Sequence, residues 1–134
     1  MIRAENIVKS FQSGDSEIVA VKNVSFEVKT GEFVSITGRS GSGKSTLMYQ
    51  MGLLDQPTSG EVFIDGKKVT SLPNEERTKI RLEQLGYIFQ DYALIPELTA
   101  MENVVVPLLM QGLSREAAYK KAKTSLERIG MGDR

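Results

Sequence analysis

The chain has 134 residues, 40% of them apolar, which is the size of one ordinary domain with a core of its own. Seventeen basic and seventeen acidic side chains cancel, arguing against bulk nucleic-acid binding and against a strongly charged steering surface. The absence of cysteine excludes disulfides and thiol chemistry and suits a cytoplasmic protein, and the longest apolar run, Val104–Met110, is broken by Pro107 and is far shorter than a membrane span.

The N-terminus, Met1-Ile2-Arg3-Ala4-Glu5, lacks the apolar stretch of a secretory leader. Residues 2–11 and 18–28 alternate apolar and polar side chains in part, as half-buried strands do, with Gln12–Glu17 as the loop between them. In the second run Val19, Val21, Val24, Phe26 and Val28 form two facing sets with a break near Lys22-Asn23. Thr30-Gly31 then turns the chain into Phe33–Thr37, a short β-branched run typical of a buried parallel strand.

Next comes Gly38-Arg39-Ser40-Gly41-Ser42-Gly43-Lys44-Ser45-Thr46, which has the form G-x-x-x-x-G-K-[ST] between a strand pattern and a helix pattern. Phosphate oxygens only accept hydrogen bonds. Glycines 38, 41 and 43 let successive backbone N–H groups converge on one concavity. The helix opening near Lys44 adds unpaired N–H groups and the positive end of its dipole. Lys44 brings a mobile charge to the β- and γ-phosphates, the Ser45 hydroxyl is a ligand for Mg²⁺, and Thr46 adds a hydroxyl toward the α-phosphate. Arg39, Ser40 and Ser42 contribute mainly backbone donors. The bland alternative is a flexible Gly-Ser loop. Average residue usage produces the four fixed positions by chance in a chain of this length on the order of one time in two hundred, so the motif points to nucleotide binding.

Helix 44–54 carries Leu47, Met51 and Leu54 as one stripe, and Pro57-Thr58-Ser59-Gly60 ends it. Glu61–Ile64, Asp65-Gly66 and Lys67–Val69 read as a hairpin. Residues 72–85 are a charged helical stretch anchored by Ile80, Leu82 and Leu85, with Glu75–Glu83 as a solvated face. Tyr87–Gln90 reads as a short buried strand. Thr99-Ala-Met-Glu102 is a capping box opening a helix to about Gln111, kinked at Pro107. Ser114 caps a last helix with a stripe of Ala118, Ala122, Leu126 and Ile129 and a stop at Gly130.

Together these residues resemble the ATP-binding subunit of ABC transporters, with wording similar to the lipoprotein-release and macrolide-export branch. The likeness runs over the whole chain, in Met1–Arg3 and Val8–Phe11, Gly31–Val34, Gly38–Thr46, Asp55–Gly60, Gly86–Gln90 and Leu98–Val104. It implies an α/β fold, a P-loop NTPase core joined to an antiparallel β subdomain and incomplete on its C-terminal side, with residues 1–134 as the N-terminal portion of one nucleotide-binding domain. It implies Phe11 as a ring stacking on adenine, a contact of about 1–3 kcal/mol per base, against the bland reading of an edge aromatic. It places Gln90 at the glutamine loop as a catalytic and Mg²⁺-touching residue beside Lys44; read bare, such a Gln is a solvated strand end. Glu97, Thr99 and the helix after them fall where the family docks its membrane subunit, or else form an ordinary amphipathic segment. The implied cofactors are ATP and Mg²⁺. The implied partners are transmembrane permease subunits and a second copy of the nucleotide-binding subunit, without nucleic acid, at the inner face of the cell membrane.

The sequence also departs from that pattern. It holds no four-residue apolar run followed by Asp-Glu, no Leu-Ser-Gly-Gly signature and no histidine for the switch position. It stops at Gly130-Met-Gly-Asp-Arg134, so it reads as a fragment or truncated frame, inactive alone and with an exposed apolar edge at 33–37. A truncated, non-catalytic docking module and a soluble P-loop kinase or other NTPase are the rival readings; the strands preceding the loop, Phe11 and Gln90 argue against the kinase.

Overall fold

A computed structural model describes residues 1–132; Asp133 and Arg134, the end of the Gly130–Arg134 stretch, lie outside it. The chain divides into two compact units, Met1–Arg81 and the residues from Leu82 onward, each considered by itself.

In the first unit, β1 (Ile2–Ser13) lies at the centre of a four-stranded antiparallel sheet ordered β2-β1-β3-β4, with β2 at Ser16–Val28, β3 at Ser59–Ile64 and β4 at Lys67–Lys68. The alternating runs at 2–11 and 18–28 thus pair as expected, and the loop between them shrinks to the turn at Gly14-Asp15. The ladder between β1 and β2 is broken by bulges. Ala4 pairs with Phe26 and Ile7 with Val24, leaving an extra residue on β1 near Asn6 (φ 50°), where the Asn6 N–H donates to Ser25 Oγ at 2.8 Å. Ile7–Val24 is followed by Lys9–Val21, an extra residue on β2 beside Asn23 (φ 50°), which is the break expected near Lys22-Asn23. Lys9–Val21 is followed by Ser10–Val19, so Ala20 has no partner on β1. Bulges increase twist and re-aim side chains. The β3–β4 hairpin turns at Asp65 (φ 46°) and Gly66 (φ 80°), both in the left-handed region that a two-residue turn requires.

Helix α1 (Lys44–Met51) packs against β1 and β2 and buries Leu47, Gln50 and Met51. It is shorter than the expected 44–54. The chain leaves the helix at Gly52, and Leu53 takes φ 55° and turns inward to 2% exposure, so Leu53 rather than Leu54 joins the core, and Leu54 is 42% exposed. The other core side chains of this unit are Ala4, Ile7, Val21, Val62, Ile64, Val69 and Ile80. Helix α2 (Asn74–Glu83) supplies Ile80 as expected, but its charged run is not wholly solvated, because Arg77 is buried.

Two expected strands do not form. Residues 33–37 and 87–90 have no ladder partner among the described residues, and a strand exists only through its ladder. Their apolar side chains stand open instead, Phe33 at 98% and Ile88 at 99% exposure.

The second unit is built on an αα-hairpin of α3 (Ala100–Met110) and α4 (Arg115–Arg128), with Val105, Ala118 and Ala122 at its core and Met101, Val104, Leu108, Leu113 and Tyr119 packed around them. The capping box at Thr99 and Glu102 is present in both directions, and α3 continues through Pro107. Ser114 caps α4 by accepting from the Ala117 N–H. Behind α4 the Gly130 N–H donates to Glu127 O and the Met131 N–H to Leu126 O, closing the helix in a Schellman arrangement. The stripe ends at Leu126; Ile129 lies past the helix and is 69% exposed. Asn103 pins the loop before α3: its Oδ1 accepts from the Ile95 N–H at 2.8 Å while its Nδ2 faces the carbonyls of Ile95, Leu98 and Thr99 at 3.0–3.1 Å.

Candidate functional site

Residues 38–46 form a curled loop running into the first turn of α1. Gly43, the residue capping that helix, has φ 87° and lies so close to β2 that a Cβ there would stand 2.2 Å from the Ala20 carbonyl oxygen. Only glycine tolerates both conditions. The bulge that leaves Ala20 unpaired on β1 is therefore the seat on which the loop rests. Within the loop the Ser42 N–H donates to Arg39 O at 3.2 Å, and Lys44 folds back so that its Nζ donates to Gly38 O at 3.0 Å and Arg39 O at 2.8 Å. The ammonium thus spans the curl, held by neutral carbonyls that a phosphate would outbid.

The first N–H groups of α1 have no intrahelical partners, and no side chain caps them. Arg39, Ser40, Gly41, Ser42 and Ser45 are exposed, and Thr46 is half-buried. Convergent donors, a positive helix end and a mobile ammonium make a cradle for an oxyanion chain. No group of three or more Asp, Glu, His or Cys able to hold a metal exists among the described residues. A Mg²⁺ here would accordingly take the Ser45 hydroxyl and phosphate oxygens, a donor set that suits this hard cation. Behind the loop, between β2 and α1, lies a cavity of about 380 Å³ bordered by Ala20, Val24, Ile36 and Leu47.

Phe11 pairs with Ile18 near the tip of the β1–β2 hairpin, Ile18 being two residues from Ala20 on β2; Phe11 is 45% exposed, with the Lys9 ammonium 5.1 Å over its ring centroid. Gln90 lies in the second unit, exposed, in an irregular stretch that with Tyr87 and Tyr92 borders an open hollow of about 500 Å³. Glu97 and Thr99 also belong to that unit, at the entrance to α3.

The far end of α1 carries a polar network that pattern reading missed. Asp55 receives Lys9 Nζ at 2.8 Å on Oδ2, Gln50 Nε2 at 3.1 Å and the Gln56 N–H at 2.7 Å. Burial raises the Asp55 pKa, but the bonds from Lys9, the Gln56 N–H and Gln50, with the Lys9 charge, outweigh it and bring the carboxyl below its ordinary 3.8. Arg77 donates to Leu53 O at 3.2 Å and Arg81 to the same oxygen at 2.9 Å. Burial, with Arg81 beside it, lowers the Arg77 pKa against the opposing charge of Asp55. The available signal was spacing: Arg77, Ile80 and Arg81 share one helical face.

A family model described as "ABC transporter" matches residues 21–134. The chain is 45% identical over 99% of its length to an uncharacterised ABC transporter ATP-binding protein, MJ0796, of Methanocaldococcus jannaschii. It is 47% identical over its full length to the lipoprotein-releasing system ATP-binding protein LolD of Aquifex aeolicus. These alignments cover 57% and 58% of the relatives, so the chain spans somewhat more than half their length. The macrolide export ATP-binding/permease protein MacB of Bartonella quintana is 45% identical over 97% of this chain and 20% of its own. A dimeric MJ0796 cassette, solved in a post-hydrolysis state with ADP and Pi, superposes with a TM-score of 0.89 at 46% identity over 95% of this chain and 56% of that one. On the match over residues 21–134 and the likeness to that cassette, the chain belongs to the ABC transporter family, as part of its ATP-binding domain.

Proposed function

We propose that residues 1–134 are a portion of one nucleotide-binding domain which, in the intact protein, binds and hydrolyses Mg-ATP to drive transport across a membrane. The observation carrying this reading is the curl at 38–46, clamped by Lys44 on the Gly38 and Arg39 carbonyls and seated by Gly43 against Ala20, in a chain similar to a cassette solved with ADP and Pi. The loop N–H groups and the α1 N-terminus bind the phosphates; Lys44 leaves its carbonyls for the β- and γ-oxygens, gaining a charge-assisted bond in their place. Ser45 is the residue of the loop to hold Mg²⁺, whose charge would offset that of the phosphates, Gln90 is the glutamine-loop residue that the resemblance assigns to catalysis, and the exposed Phe11 stacks on adenine. The partners are permease subunits, reached through Glu97, Thr99 and α3, and a second nucleotide-binding subunit, as in the dimeric relative. The intact protein would sit at the inner face of the cell membrane.

The chain by itself is the non-catalytic half of this reading. Its sequence contains no strand-borne Asp-Glu pair to hold metal and activate water. Titration of the chain with Mg-ATP tests the proposal. Binding is expected in the wild type and weaker by at least about tenfold in Lys44→Ala, since the charge-assisted bonds are each worth about 1.5–3 kcal/mol. Equal affinity in the two proteins contradicts it, and steady hydrolysis abolished by Lys44→Ala contradicts the assignment of the chain alone as inactive.

A further inference from the structure

We infer that Lys9 is a positioning residue for Phe11: its ammonium backs one face of the ring and is held there by Asp55 and the Gln56 carbonyl, leaving the ring preset for a base. This rests on the reading of Phe11 as a stacking platform and adds to it a residue outside the phosphate loop. Lys9 and Phe11 are two apart on β1, so their side chains leave the same face of the strand. The ammonium sits 5.1 Å over the ring centroid, within the range of a cation–π contact.

That cation is not a loose surface lysine. Its side chain is only 14% exposed, and its Nζ lies 2.8 Å and 3.0 Å from the two Asp55 oxygens and 2.8 Å from Gln56 O. Asp55 is fixed in turn by the Gln56 N–H and by Gln50, whose side chain is fully buried on α1. A chain of contacts therefore runs from the helix that begins at the phosphate loop, through Gln50, Asp55 and Lys9, to the ring. A ring fixed on one face by a pinned charge loses less freedom when a base arrives. No side-chain hydrogen bond or ion pair of the network reaches residues 38–46, so its effect belongs to the base rather than to the phosphates.

The test compares ATP with inorganic tripolyphosphate, which has no base, as ligands of the 134-residue chain. Lys9→Met should weaken ATP roughly two- to fivefold, the span of a cation–π contact of this kind, and leave tripolyphosphate unchanged. Lys9→Met/Asp55→Asn, which removes the carboxylate left unpaired by the single change, should behave alike, and Lys9→Arg should restore ATP binding. In a Phe11→Ala background Lys9→Met should have no further effect on ATP. Equal weakening of both ligands, no weakening of either, or a full effect in the Phe11→Ala background overturns the inference while leaving the phosphate-loop reading intact. A wild type that binds tripolyphosphate as tightly as ATP removes the stacking platform and this inference together. A wild type that binds neither removes the nucleotide reading itself.

Discussion

At its first turn α1 offers bare N–H groups to an exposed, curled loop, with no side chain closing them off. At its other end the same helix is sealed: the N–H groups of Gly52, Leu53 and Leu54 return to the Met48, Gln50 and Tyr49 carbonyls, and in the turn beyond, Arg77 and Arg81 converge on the Leu53 carbonyl and Asp55 is filled by Lys9, Gln50 and the Gln56 N–H. Both ends start from the same physics, since a helix leaves donors at one terminus and acceptors at the other. Main-chain N–H groups of residues 52–55 satisfy the negative end, and cations gather on the turn just past it. At the positive end no side chain takes up the N–H donors, and Lys44 rests on neutral carbonyls beside them, so both stay available to an anion. A binding site of this type needs one open terminus.

The contrast can be broken most severely at Gly43. Gly43→Ala places a methyl 2.2 Å from the Ala20 carbonyl at φ 87°, so either the loop or the bulge must move. A stability loss of about 3 kcal/mol in denaturant unfolding, with loss of Mg-ATP binding, is expected. Unchanged unfolding and binding would mean that Ala20 does not seat the loop. At the closed end, Arg77→Met removes a buried donor while roughly keeping its volume. About 1.5–3 kcal/mol should be lost, toward the lower figure because Arg81 still reaches Leu53 O. Phosphate affinity should change less than stability does.

Asp55 gives the smallest effect and a sign. Its folded pKa lies below its ordinary value of 3.8, so its contribution is present above that value and is lost as pH falls through the folded one. Asp55→Asn should melt lower than wild type at pH 7, and the gap should narrow below about pH 3.8 as the wild-type carboxyl protonates. A gap constant from pH 7 to pH 2 would show that the charge of Asp55 is not what binds Lys9 and Gln50.

The open end was legible in the sequence because its requirements are local. The glycine spacing, Lys44 and the start of the following helix all lie within residues 38–46, and the Asp65-Gly66 turn and the caps at Thr99 and Ser114 are likewise set by near neighbours in sequence. The closed end was not, since it depends on where distant segments meet. Leu53 replaces Leu54 in the core because the helix stops at Gly52, which the apolar spacing did not register. Arg77 is buried because a carbonyl 24 residues earlier needs a donor, and a charged run gives no sign of that. Phe33–Thr37 and Tyr87–Gln90 have the composition of strands, but a ladder is a property of two segments, and the described residues supply only one. The seat at Ala20 depends on a register shift invisible in the pattern of β2 alone.

The central claim is that phosphate is gripped by main-chain amides at the head of α1 with Lys44 closing over it. Amide chemical-shift mapping of the chain during titration with Mg-ATP measures this directly. The largest shifts should fall on residues 38–46 and vanish in Lys44→Ala. Shifts centred elsewhere, or shifts at 38–46 that survive Lys44→Ala undiminished, would contradict the claim.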